Sequence, residues 1–388
     1  IAIEGIVSIP ENNEAIWNFV GNGEIFWNNG TLRGPGTLIN NANVNLATSS
    51  SKIIDNLLTL NNNGILRITA VGDLFLNNGT INNLQSGLID LQADGGNITF
   101  TGVNTKILNN TGTIRKSTSV GVANIEVELE NSGTLDVTIG TLTLNNPGIS
   151  LVGGIYTVAA GSGMNFQSTI TLSESLSGTL AGQIVWQGNL SVPVSASFDF
   201  ATVDDGSILW GSGNLTGGGV LTNNSTLKLL SASSKSIVNQ TTLNNANCIS
   251  IESTGDLFLV NGILNNLPSG ILYFVTNGGD ITFTGSALHQ VNNQGTIRNI
   301  IGNNAIYADL LNQGTIWVDV GILTLDSVDT HLMAGTYNVS SSGQLIANSP
   351  TCSLSLGGVL EGIFRFTGTV TIPVGASLDF SGSQPVVW

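Results

Sequence analysis

Gly95-Gly96-Asn97-Ile98-Thr99-Phe100-Thr101-Gly102 returns almost unchanged as Gly278-Gly279-Asp280-Ile281-Thr282-Phe283-Thr284-Gly285, 183 residues later. The same offset carries Gly72-Asp73-Leu74-Phe75-Leu76 onto Gly255-Asp256-Leu257-Phe258-Leu259, and Gly112-Thr113-Ile114-Arg115 onto Gly295-Thr296-Ile297-Arg298. Farther on it slips to 181 at Gly140/Gly321 and to 180 at Pro193-Val194/Pro373-Val374, as small deletions in loops would make it. Backwards, Trp27 and Gly30 answer Trp210 and Gly213, and Ser8-Ile9-Pro10 answers Ser191-Val192-Pro193. Self-similarity at a fixed period is the signature of a repeat architecture. The expected division is 1–35 as the end of a preceding unit, 36–218 as a complete unit and 219–388 as a second, truncated one, all in one continuous solenoid. The chain reads as a window on a longer array.

A shorter rhythm runs inside the unit. Thr134-Leu135-Asp136-Val137-Thr138-Ile139 leads through Gly140 to Thr141-Leu142-Thr143-Leu144, and Gly270-Ile271-Leu272-Tyr273-Phe274 has the same character. Alternation of period 2 over four to six residues, punctuated by Gly, Asn and Ser, predicts short strands. The Asn-rich phrases at Asn109-Asn110, Asn131-Ser132 and Asn312-Gln313 read as corners, where Asn and Gly supply left-handed backbone.

A string of β-sandwiches would need linkers, and no Pro/Ser-rich linker exists. A right-handed parallel β-helix needs none. Coils of roughly 20 to 25 residues stacked about 4.8 Å apart would make a rod roughly 80 Å long, with about eight coils per unit. Buried strands would fill it, and Asn could stack in ladders from coil to coil.

Composition agrees. Of 388 residues, 49 are Gly and 47 Asn, and only 9% are charged, against about 25% in ordinary globular proteins. The 41% hydrophobic content excludes a disordered chain. No apolar run of about 20 residues exists to cross a membrane as a helix. A net charge of −15 leaves no basic surface for nucleic acid or anionic lipid. Two cysteines make no disulfide framework.

Two stretches carry a resemblance. Asn131-Ser132-Gly133-Thr134-Leu135 through Gly140-Thr141-Leu142-Thr143-Leu144 to Gly154-Ile155-Tyr156 is one, and Asn109-Asn110-Thr111-Gly112-Thr113-Ile114-Arg115-Lys116-Ser117 is the other. They resemble the β-helical stalk repeats of giant secreted and cell-surface adhesin-like proteins of bacteria, Bacteroidota among them. The resemblance covers nearly the whole chain. It implies a β-helical fold, an extracellular or cell-surface location and a spacer role without chemistry. The second copy departs from the pattern, with Arg298-Asn299-Ile300 where the first has Arg115-Lys116-Ser117.

Candidate sites are weighed by recurrence, since chemistry common to both units should repeat. Cys248 falls opposite Ile65 and Cys352 opposite Leu172, so both read as small apolar strand residues. His289 falls opposite Lys106 and His331 opposite Ser150, and neither belongs to a metal-binding spacing. Four charged positions do recur: Lys52/Lys235, Asp73/Asp256, Arg115/Arg298 and Asp199/Asp379. Glycosidic chemistry needs two carboxylates within about 5 to 10 Å. These residues lie in different coils, and are expected to cap corners or pair between coils. Asp204-Asp205, an adjacent acidic pair, has no acidic counterpart one unit earlier. Trp27, Trp210 and Trp388 recur at one position, and Trp186 answers Phe366; burial is expected, because Phe replaces Trp there. Thr-x-Thr segments do not repeat coil after coil, which argues against an ice-binding face.

No catalytic, cofactor-binding or metal-ligating residue is therefore expected, and no cofactor. The expected function is that of a structural, adhesive repeat segment of a large extracellular bacterial protein or fibre. Its partners would be neighbouring repeats of the same chain or identical subunits stacked end to end, with surface glycans as a further candidate, and neither nucleic acid nor membrane insertion. The competing expectation is a carbohydrate-binding or polysaccharide-degrading β-helix, marked by exposed aromatic residues beside acids in one unit only.

Overall fold

The computed structural model of the protein describes residues 1–18, 23–103, 105–286, 288–327 and 329–388. Among them there is no helix; the regular elements are strands, mostly of three to five residues. Two compact units are present. The first comprises Ile1–Gly188 with Phe200–Ser207, and the second Asn189–Asp199 with Ile208–Trp388.

In the first unit each strand pairs in parallel with the third strand after it. Lys52–Asp55, Thr59–Asn62 and Ile65–Ile68 form one coil, and Leu74–Asn77, Gly79–Asn83 and Leu88–Leu91 the next. The registers are Leu74↔Lys52, Thr80↔Thr59 and Leu88↔Ile65. The second unit has the same construction, as in Thr242↔Ile263, Cys248↔Ile271 and Leu257↔Ile281. Each unit is thus a parallel β-solenoid whose coil has three strand segments, two of which run together as one strand over Thr315–Leu325 and Thr336–Asn348. Neighbouring coils supply every ladder hydrogen bond, so no strand needs a partner distant in sequence.

Coil length is less uniform than expected. Thr113↔Thr134 marks a step of 21 residues, but Gly79↔Lys106 marks one of 27. The longer coil carries Gly102 at φ +78° and the exposed Val103 in an outward loop, which lengthens the chain without moving the strands.

Strand alternation sends every second side chain inward. Leu38, Leu60, Ile81, Leu108 and Leu129 lie in one register in successive coils, and all are buried. Two positions on, the same strands point Asn40, Asn62, Asn83, Asn110 and Asn131 inward, each at most 1% exposed. The sequence reading places such asparagines at corners. Their interior position follows from the same alternation that buries the leucines.

The buried amides satisfy one another. Each Nδ2 donates to the Oδ1 of the next coil: Asn40 to Asn62, Asn62 to Asn83 and Asn83 to Asn110 at 2.7 Å, and Asn110 to Asn131 at 2.6 Å. The first carbonyl accepts from Ala42 N (3.0 Å). The last amide donates to the Tyr156 hydroxyl (2.9 Å), which donates in turn to Gly153 O (3.0 Å). The second unit repeats the device. Asn223, Asn245, Asn266, Asn293 and Asn312 run in line and end on Tyr337 at 2.8 Å. With every amide paired, the cost of burying it is offset. Desolvation pushes both tyrosine hydroxyls well above the ordinary phenol range, so both stay protonated.

Candidate functional site

All but one of the recurring charges have structural partners among the described residues. Lys52 and Lys235 end in the interior, both with no exposed surface. The Lys235 ammonium donates to Ser231 O and Ser233 O, each at 2.7 Å, and Lys52 donates to Thr48. Each closes over the carbonyls of its own corner, a job that a long stem with a charged tip can do from inside. Lys116 is a third such residue: it donates to Ser119 O at 2.7 Å and lies 3.5 Å from Asp94. Where the second copy has Asn299, its amide takes the corresponding corner carbonyl, Gly302 O, at 3.1 Å. That substitution therefore preserves a corner cap with a neutral donor. The sequence reading expected apolar strands to fill the interior; these lysines depart from that because corner carbonyls need donors.

Burial lowers the pKa of all three lysines, that of Lys235 to about 8. A pKa of 8 in the folded chain against 10.5 in the unfolded one means that, between these values, only the unfolded chain holds the proton. Stability then rises with pH through that window and is flat below it. In a Cys248→Ser, Cys352→Ala background, which removes the two thiols whose raised pKa gives the opposite slope, urea midpoints measured from about pH 8 to about pH 9.5 should show the second unit gaining roughly 1–2 kcal/mol, below the range in which unfolded tyrosines ionise. Lys235→Met should remove this slope; an unchanged slope would mean that another group carries it.

The carboxylates act between coils. Asp73 Oδ1 accepts Asn97 N at 3.0 Å and Asp256 Oδ1 accepts Asp280 N at 3.1 Å. Arg115 Nε meets Asp136 Oδ2, and Arg298 Nε meets Asp319 Oδ2, both at 2.8 Å. Asp199 accepts from Ser197 and Asn224, whereas Asp379 has no partner of this kind among the described residues.

The histidine and cysteine positions are equally structural. His289 Nε2 lies 3.4 Å from Asp309 Oδ2, with its ring stacked at 3.9 Å on Phe283. Lys106 stands in the same relation to Glu128, at 3.6 Å, and to the Phe100 ring, at 4.4 Å. A basic nitrogen beside an aromatic ring and an acid is thus retained although the residue types differ. Cys248 is half-buried, on the outward side of its strand, whereas Cys352 points inward; both are free thiols whose pKa burial pushes up. Both lie in strands, as their alignment with Ile65 and Leu172 implies, and the strand alternation turns position 248 outward. Among the described residues no three His, Cys, Asp or Glu side chains group as a metal site would require.

Trp27, Trp186 and Trp210 are buried as expected. Trp388, the final residue, is not: it is 67% exposed, its ring 5.1 Å from that of Phe366. Another tryptophan, passed over because it does not recur, stands outward. Trp317 is 36% exposed on a strand in register with Arg298 on one side and Asn338 on the other. The Arg298 guanidinium covers its ring at 4.5 Å and is held by Asp319, which raises the Arg298 pKa further. Beyond the ring lies a hollow of about 270 Å³, lined by Trp317, Asn338, Val339, Ser340, Val359 and Glu361.

No family model matches the chain, and no curated protein does. Among solved structures, a crystal structure of a TibC-catalyzed hyper-glycosylated TibA fragment aligns over 99% of this chain and 99% of that one, with 13% identity and a TM-score of 0.25. At that score the likeness adds nothing to what the coils themselves show.

Proposed function

We propose that the chain is a structural repeat segment of a large extracellular bacterial surface protein or fibre, a stiff spacer that holds other parts of its assembly apart without catalysis. The observation that supports this best is the pair of buried asparagine ladders. Each ties successive coils together along the direction of stacking, so that separating two coils breaks side-chain as well as backbone hydrogen bonds. A spacer needs resistance spread evenly over its length, and nearest-neighbour coils supply it. The recurring charges close corners and cross-link coils, and the resemblance to stalk repeats points the same way. Natural partners are further repeats of the same kind, in the same chain or in stacked copies.

The test uses an antibody against this chain on intact and on permeabilised cells of the source organism, together with a denaturing blot. Labelling of intact cells, with a band many times longer than this chain, is the expected result. Labelling only after permeabilisation would overturn the surface assignment. A surface protein no longer than the chain would replace the covalent spacer with a stacking subunit.

A further inference from the structure

We propose that the outward face over Trp317 is a binding subsite for a neutral sugar ring of a glycan. One face of the Trp317 ring is taken by Arg298, from the preceding coil. The hollow opens on the side of the following coils, which supply Asn338, Ser340 and Glu361. An indole fixed on one face by a guanidinium, itself fixed by Asp319, is a rigid platform for the C–H face of a pyranose.

The polar groups around the hollow suit hydroxyl recognition. Asn338 uses its Oδ1 to accept Val359 N at 3.1 Å, while its Nδ2 has no protein partner among the described residues. The Ser340 hydroxyl and the Glu361 carboxylate likewise make no hydrogen bond or ion pair there. A donor, an acceptor and a group that is both thus surround one apolar platform, as in ligand sites where a few polar groups orient a mostly apolar contact. Arg298, the one cation beside the ring, is committed to Asp319, and the chain carries a charge of −15. Anionic ligands are therefore disfavoured and neutral ones admitted.

The first unit lacks all of this. At the equivalent positions it has Asp136, Thr157, Ala159, Thr179 and Ala181 in place of Trp317, Asn338, Ser340, Val359 and Glu361. The scaffold around the two sets is alike: Tyr156 and Tyr337 end their ladders in the same way, and Arg115 and Arg298 each hold an aspartate. The fold therefore does not require the tryptophan, the amide or the carboxylate at these places.

The experiment titrates the full chain with cellohexaose, mannohexaose and chitohexaose by isothermal titration calorimetry, with a galacturonan oligosaccharide as the anionic control. A saturable change with at least one neutral glycan is expected, about tenfold weaker in Trp317→Ala, partly kept in Trp317→Phe and absent with the anionic control. Far-UV circular dichroism establishes that both variants are folded. No response to any neutral glycan would overturn the proposal. So would a response that survives Trp317→Ala, or one that depends on protein concentration and reports self-association instead. The spacer reading stands or falls separately, since a spacer need bind no sugar and a sugar site need not sit on a spacer.

Discussion

Asn266→Leu should lower the melting temperature of the second unit by roughly 10 °C, although leucine has the branched shape and heavy-atom count of asparagine and the site is already interior. Asn266 donates to Asn293 Oδ1 at 2.7 Å and to Thr296 O at 3.0 Å, and accepts from Asn245 Nδ2 at 2.8 Å. The substitution leaves a buried amide oxygen without its donor, a buried amide nitrogen short of an acceptor and a backbone carbonyl short of its side-chain bond. At about 1–3 kcal/mol for each fully stranded group, and less for those that keep one partner, the loss is about 4 kcal/mol. The neighbouring Asn265 provides the comparison. It lies on the same strand but faces outward, in a half-buried row where it donates to Asn244 at 2.8 Å and accepts from Asn292 at 2.8 Å. Water can replace those partners, so Asn265→Leu should cost less than about 1 kcal/mol. Calorimetry of the two variants decides the matter; equal losses would mean that burial of the inner row contributes nothing of its own.

The second large effect concerns a glycine beside the ladder terminus. Gly178 lies in register with Tyr156, at φ +142°, and a Cβ there would fall 2.0 Å from Tyr156 O. Gly358 repeats the arrangement against Tyr337 O, at φ +148° and 1.9 Å. Both obstacles are backbone atoms of the preceding coil, which cannot turn aside as a side chain would. Gly178→Ala therefore combines an unfavourable backbone conformation with a collision, and should cost about 4 kcal/mol. Gly163, in the same unit, has ordinary φ and no heavy atom within 3.6 Å of the added carbon. There the alanine should be neutral or stabilise by up to about 1 kcal/mol, by restricting the unfolded chain. Urea unfolding of the two variants measures the contrast, and similar midpoints would refute the steric argument.

Much of this architecture was legible before any coordinates. The 183-residue offset and the alternation in stretches such as Thr141-Leu142-Thr143-Leu144 point to short stacked strands, because period 2 and a fixed coil length leave few alternatives. The structural role of Arg115/Arg298 and Asp73/Asp256 followed from their spacing, which puts each singly in a different coil and not in a cluster. The inner asparagines were harder to place, because composition associates Asn with turns, and only their phase relative to Leu38, Leu60 and Ile81 reveals that they point inward. A Leu/Ile-x-Asn phrase recurring once per coil was the available signal. The buried lysines gave no such signal, since a lysine stem reads as polar wherever it lies. Trp317 was missed for the opposite reason: recurrence is a good filter for scaffold residues and a poor one for a feature that only one unit has.

The ladder's end also solves a problem of counting. Coils this similar could dock one step early or late with most leucines still meeting leucines. After Asn131, however, the same inward column continues as Leu151 and Leu172, and after Asn312 as Leu332 and Cys352. Each column therefore spells five amides and then apolar letters, with the tyrosine as the punctuation between them. A chain threaded one coil out of frame would part the last amide of the row from the phenol that accepts from it. The mark lies in the dry interior, where a mismatch costs most, so it favours the correct frame more sharply than the leucines do.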